Sequence, residues 1–298
     1  MLGRVPARPE RATNPEAEMK NNLKTAMLLA AIGGLMITVG SLLGGTGGAV
    51  IGLTLGLLLV GGSYWFSDKL AIRSARAVEV TAEQMPRYHA IVADLAQRAD
   101  IPMPRLYVSP DPQPNAFATG RSPSHAAVCV NQGILDVLSW EELQGVLAHE
   151  ISHIRNRDIL IGSVAAAVAQ GITFVANMAM WSAMFGGSDD EDRNPMAALA
   201  LALLAPIAAG LLQMALSRSR EYEADRRAAL LLGTGEPLAR ALEKLDRGVR
   251  AIPSTVNPAQ AGAYIANPLA GGKAQFANLF TTHPPMEERI ARLRSGAW

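Results

Sequence analysis

Four long apolar stretches, arranged in two pairs, limit what this chain can fold into more than any other feature. They cover residues 23–43, 50–66, 159–185 and 196–216, and apart from Lys24 no charged residue falls inside them. A helix rises 1.5 Å per residue, so each stretch is long enough to cross a hydrocarbon core of about 30 Å. The chain is 49% hydrophobic with only 5% aromatic residues, and its mean hydropathy is +0.15. That excess is gathered into runs rather than spread through a core, which is the distribution of a membrane protein.

The first pair is joined by Gly44, Gly45, Thr46, Gly47 and Gly48, an uncharged turn that predicts a helical hairpin. Gly33, Gly34, Gly52 and Gly56 offer small-residue faces for helix contact. A cleaved signal peptide fits poorly, because a second apolar run follows at once. The second pair is separated by the acidic segment Asp189, Asp190, Glu191 and Asp192. Basic residues crowd the other ends: Lys20, Lys24, Lys69, Arg73, Arg76, Arg155, Arg157, Arg218 and Arg220. The positive-inside rule therefore places both termini in the cytoplasm and the acidic loop outside. For the Ala-rich second pair, with Pro206 inside it, a buried soluble hairpin is the alternative.

Five segments follow from this pattern. Residues 1–22 read as a disordered tail with Met19 as a plausible second start, and 23–66 as a first transmembrane hairpin. Residues 67–158 are soluble in character, 159–217 form a second hairpin, and 218–298 return to soluble character. In 67–158 the patterning predicts a helix over 81–99, strands over 105–109, 115–119 and 125–131, a turn-rich loop over 110–114, and a helix from about 140. In 218–298 it predicts helices to about 232, over 236–247 and over 286–294, with a long loop over 251–282. A net charge of +1 excludes a strong nucleic-acid footprint. The single Cys129 cannot form an internal disulfide and reads as a small buried apolar residue, consistent with a reducing compartment. No fixed-period repeat is present.

The chemistry is concentrated in His149-Glu150-Ile151-Ser152-His153. On a helix, His149 and His153 lie one turn apart on one face and can grip one Zn²⁺. Glu150 then sits beside the metal, where a base for water belongs. Ser139 and Glu142 form a capping box that starts this helix. A catalytic zinc needs a third protein ligand and one open position. The segment 217–225 is the best source: the motif helix ends where the third apolar stretch begins, and this segment begins where the fourth ends. A two-span hairpin brings both to the same membrane face. Spacing alone leaves Glu221 and Glu223 as rivals.

The motifs in this order resemble the M48 family of zinc metallopeptidases, and within it the bacterial HtpX branch. The family pattern is H-E-x-x-H, then E-x-x-x-D, then H-P-P followed by E-R. Here it reads His149 to His153, Glu221 with Asp225, and His283-Pro284-Pro285 with Glu288-Arg289. Asn115-Ala116-Phe117-Ala118-Thr119-Gly120 matches the family's strand before the motif helix. The resemblance extends from about Met19 to the end, and only the N-terminal extension departs from it.

The resemblance implies a mainly α fold with a small β-sheet, a zincin-like catalytic domain interrupted and anchored by four transmembrane helices. It implies one Zn²⁺ per chain on His149, His153 and Glu221, with Glu150 as base. Asp225 would orient a ligand histidine, or else simply pair with an arginine. His283 would donate to the oxyanion, or else cap the last helix. Arg289 would pair with a site carboxylate or lie in solvent. Asn115, Ala116, Phe117 and Ala118 would form an edge strand that takes the substrate backbone as another strand, or else an ordinary strand. The implied function is a zinc endopeptidase of the bacterial inner membrane facing the cytoplasm. Its partners would be the lipid bilayer and polypeptide substrates, in quality control of damaged membrane proteins.

Two other readings compete. A site-2 type intramembrane protease would bury Glu141, Glu142, Arg155 and Arg157 in lipid, which is expensive. A non-catalytic zinc-binding scaffold or chaperone adaptor would not need the intact ligand set plus base. The sequence carries no signal for oligomeric state.

Overall fold

The computed structural model describes residues 15–159, 220–252, 264–268 and 284–296. Helix α1 (Pro15–Ser74) is helical throughout by hydrogen bonding, yet its axis reverses at Gly45, where φ is +58°. In a straight helix residues 36 and 52 would stand about 24 Å apart. Here a methyl group on Gly52 would strike the Met36 carbonyl, and one on Gly40 would strike the Gly48 carbonyl. The two arms therefore touch backbone to backbone where only glycine fits. Gly56 abuts the Met36 side chain, whereas Gly33 and Gly34 have nothing within 4 Å.

Among the described residues no helix is long and apolar enough to cross a membrane. The four expected spans are accordingly not established by the structure, and the second pair lies, from residue 160 to 216, outside the described residues.

The soluble part is built on a four-stranded sheet in the order β1-β2-β4-β3, with β1 (Val78–Glu79), β2 (Arg105–Ser109), β3 (Ala116–Gly120) and β4 (Ala126–Asn131). β2 and β4 run parallel; β1 and β3 are antiparallel to their neighbours. Strand alternation divides β4 between two cores. Ala126, Val128 and Val130 face one cluster with Tyr88, Leu95, Leu147, Ile151 and Leu242. Ala127 and Cys129 face another with Tyr107, Phe117 and Tyr264, against which Ala71 and Ile72 of α1 and Ala75 just after it pack. Burial pushes the Cys129 thiol up to about 12, so it behaves as the apolar residue its context suggests.

Helix α2 (Pro86–Arg98) and helix α4 (Trp140–Arg155) cover the first face, joined by the short α3 (Gln132–Val137) before α4. Beyond lie α5 (residues 220–232), α6 (Glu236–Ala251) and α7 (Met286–Ser295). α4 begins as its capping box predicts: Ser139 Oγ accepts from Glu142 N–H at 3.3 Å, and Glu142 Oε2 accepts from Ser139 N–H at 2.7 Å. Ser139→Ala is expected to lower stability by about 1 kcal/mol, read from urea unfolding. A change below a few tenths would show that tertiary packing alone sets the start of α4. A Cβ on Gly145 would lie 2.5 Å from Leu238 N, so α6 rests directly on the backbone of α4.

Local boundaries differ from the periodicity in identifiable ways. The helix expected over 81–99 starts at Pro86, whose ring suits a first helical position. Thr81 N–H instead donates to Gln84 Oε1, and residues 82–84 form a turn. α6 runs four residues past the expected 247. Residues 264–268 of the expected long loop include an isolated bridge, Phe117 to Tyr264.

Candidate active site

Helical spacing places the two motif histidines as expected: their rings stand 4.6 Å apart on α4, with Nε2 to Nε2 at 3.1 Å. Glu221, on α5, closes the triangle. Its Oε1 lies 3.4 Å from His153 Nε2 and its Oε2 3.7 Å from His149 Nε2. Tetrahedral ligands about 2.0–2.1 Å from one zinc are about 3.4 Å apart. The donor set therefore fits a tetrahedral metal before any side chain moves, and among the described residues these three form a group that could hold an ion. Glu223, the rival by spacing, points away: it is partly exposed and binds Arg227 at 2.7 Å.

Each motif histidine is gripped through its other nitrogen. His149 Nδ1 lies 2.9 Å from Asp225 Oδ1, close although not aligned as a straight hydrogen bond. His153 Nδ1 lies 3.2 Å from Asp158 Oδ2. A carboxylate on one nitrogen fixes the ring and presents the other to a metal. Burial disfavours charge on both rings. It prevails at His149, which is lowered; at His153 the Asp158 and Glu221 carboxylates outweigh it and raise the ring to about 10. Asp158 escaped the sequence reading. The signal was an acid just past the motif helix, directly after the turn at 156–157. Asp158→Ala is expected to weaken metal affinity about 10–100-fold, measured by competition with a chelator. Unchanged affinity would reduce the contact to packing.

Asp225 is shared. Arg289 forks onto it, Nε to Oδ2 and Nη2 to Oδ1 both at 2.8 Å. Arg289 Nη1 donates to the Ile265 carbonyl at 3.1 Å and lies 3.4 Å from Glu221 Oε2. This guanidinium is 0% exposed. Burial alone would raise the Asp225 carboxyl, but Arg289 overcomes it and holds the group at about 2. The two expected roles of Asp225, orienting a histidine and pairing with an arginine, thus meet in one residue.

Glu150 is buried beside this triangle and takes no part in it. Burial pushes its carboxyl up to about 7, against the pull of the nearby His153. The Ala118 backbone hydrogen-bonds it, which ties this carboxyl to strand β3. β3 is an edge of the sheet, as the expected substrate strand must be. Part of that edge is already taken. Ile265 N–H donates to the Ala116 carbonyl at 3.0 Å, and Phe117 bridges Tyr264. The Asn115 side chain clasps Ala266, donating to its carbonyl at 2.7 Å and accepting from its N–H at 3.2 Å. Of the four strand residues, Ala118 is the one brought next to Glu150. His283 lies outside the described residues.

Comparison with known proteins agrees with this geometry. The family model for peptidase family M48 matches residues 82–297. A protein named protease HtpX homolog from Pelotomaculum thermopropionicum is 48% identical over 281 residues, covering 93% of this chain and 99% of its own. Another of the same name from Burkholderia thailandensis is 50% identical over 280 residues, covering 92% and 96%. The crystal structure of S. mikatae Ste24p shares the fold at a TM-score of 0.53 and 19% identity, over 94% of this chain and 67% of that one.

Proposed function

This chain belongs to peptidase family M48, and on that premise we propose that it is a zinc-dependent endopeptidase anchored in the bacterial inner membrane. The observation that carries the proposal is the convergence of His149, His153 and Glu221 at 3.1–3.7 Å, with a buried carboxylate, Glu150, alongside. Zinc, when bound by these three residues, supplies a Lewis acid that activates water and polarises the scissile carbonyl. The protein's own residues do the rest. Glu150 takes the proton from the attacking water onto its carboxylate and passes it to the leaving nitrogen. A carboxyl held near neutrality suits both halves of that transfer. Asp225 and Asp158 keep the histidine rings in place while this happens. His283 would donate to the developing oxyanion.

The edge of β3 supports binding of an extended peptide backbone beside Ala118. Membrane anchoring is supported by α1, where Val50, Ile51, Leu57 and Leu58 expose large apolar side chains. The distribution of basic residues supports a cytoplasmic catalytic domain. With the site on that side, damaged or misassembled membrane proteins are the substrate class.

The test is cleavage of an unfolded membrane-protein substrate by detergent-purified protein, stripped of metal and then reloaded with zinc. Activity that vanishes and returns with zinc supports the proposal; activity indifferent to chelation sinks it. One tightly held zinc without any turnover would favour the non-catalytic scaffold instead.

A further inference from the structure

The second arm of α1 does not end free. Trp65 and Phe66 close its apolar run and are 57% and 52% exposed. Lys69 follows within a turn, 5.7 Å above the Phe66 ring, and Arg73 comes one turn later on the same stripe. A third cation arrives from a different element. Arg121, on the turn between β3 and β4, places its guanidinium 5.0 Å from the Trp65 ring centroid. Among the described residues, no carboxylate lies within ion-pair distance of Lys69, Arg73 or Arg121. By contrast Arg105, one layer inward, is taken up by Asp68.

An apolar run, two half-exposed aromatic rings and then unpaired cations is the order of environments met on leaving a bilayer: chains, interface, anionic headgroups. Resting on the membrane reading above, we propose that Trp65, Phe66, Lys69 and Arg121 form a contact for anionic phospholipid headgroups, which holds the β3–β4 turn against the bilayer surface. The consequence for function is positional. Arg121 is one residue past the end of β3, and Ala118 of that strand touches Glu150. A lipid clasp at Arg121 therefore sets the height of β3 and Glu150 above the membrane. It favours peptide segments that emerge at the surface over those in solution.

The experiment uses the full chain in vesicles, with Trp140, Trp181 and Trp298 replaced by Phe so that Trp65 alone fluoresces. Quenching by brominated phosphatidylglycerol is compared with quenching by brominated phosphatidylcholine. The expected result is a preference of about fivefold for the anionic lipid, falling to parity in Lys69→Ser/Arg121→Ser. No preference in the parent, or the same preference in the double variant, overturns the headgroup contact while leaving the membrane reading intact. No quenching by either lipid overturns the membrane reading itself. A kinetic arm checks the positional claim. Arg121→Ser should slow cleavage of a membrane-inserted substrate several-fold and leave kcat/KM on a soluble unfolded peptide unchanged. Equal slowing of both would assign Arg121 to the local fold and overturn the proposal.

Discussion

Replacing Glu150 by Gln is expected to abolish turnover while leaving both the fold and the metal in place. Loss of a positioned general base lowers the rate about 10²–10⁴-fold. The triangle proposed to hold zinc does not include Glu150, so one zinc per chain should remain, measurable by elemental analysis of the purified variant. The fold should remain because the pocket already disfavours a charge at this position, and an amide of the same shape is neutral. The amide can also still accept a hydrogen bond from the Ala118 backbone through its oxygen. Cleavage within a few-fold of the parent rate would show that another group handles the proton. Loss of zinc along with activity would mean that Glu150 supports the metal site, and the roles proposed here would need redrawing.

The second large effect is expected on stability. Arg289→Met removes the guanidinium that faces Asp225, Glu221 and the Ile265 carbonyl at once. Two buried carboxylates lose their counter-charge in a region that water does not reach. Breaking a buried pair from one side costs about 3–5 kcal/mol, more than the pair contributed net, because an uncompensated charge is left behind. The expected readouts are a large fall in urea resistance and a weaker grip on zinc. Arg289→Met with Asp225→Leu should recover part of the loss, since neither partner is then stranded. If the single variant stays within about 1 kcal/mol of the parent, the buried fork is not an anchor of the fold.

Arg289 also illustrates how far a linear reading reaches. Its neighbour Glu288 and the preceding prolines marked it as part of a motif, but left open whether it pairs or lies in solvent. Only the docking of α7 beside α5 brings it to Asp225, 64 residues away in sequence. The same holds for Glu221 against Glu223. Both are carboxylates on one helix, and what separates them is which face of α5 turns toward α4. Asp158 was missed because a single acid after a helix has no periodicity to betray it. Its meaning lies in a distance to His153 that sequence does not encode directly.

Short-range rules determined the remaining elements. A capping box and the i, i+4 placement of two histidines are local, so Ser139, Glu142, His149 and His153 announced their helix and the face that carries both rings from sequence alone. The run 125–131 after the segment 120–123 likewise announced a strand; its division between two cores appeared only in the structure. The glycine-rich turn at Gly45 announced the reversal of α1. Tertiary structure alone decided which partners those faces meet: Arg289 on Asp225, Asp158 on His153, residues 264–266 on β3, Arg121 on Trp65. Those contacts join segments remote in sequence, and their register depends on how whole helices and a sheet pack, not on any one residue's neighbours.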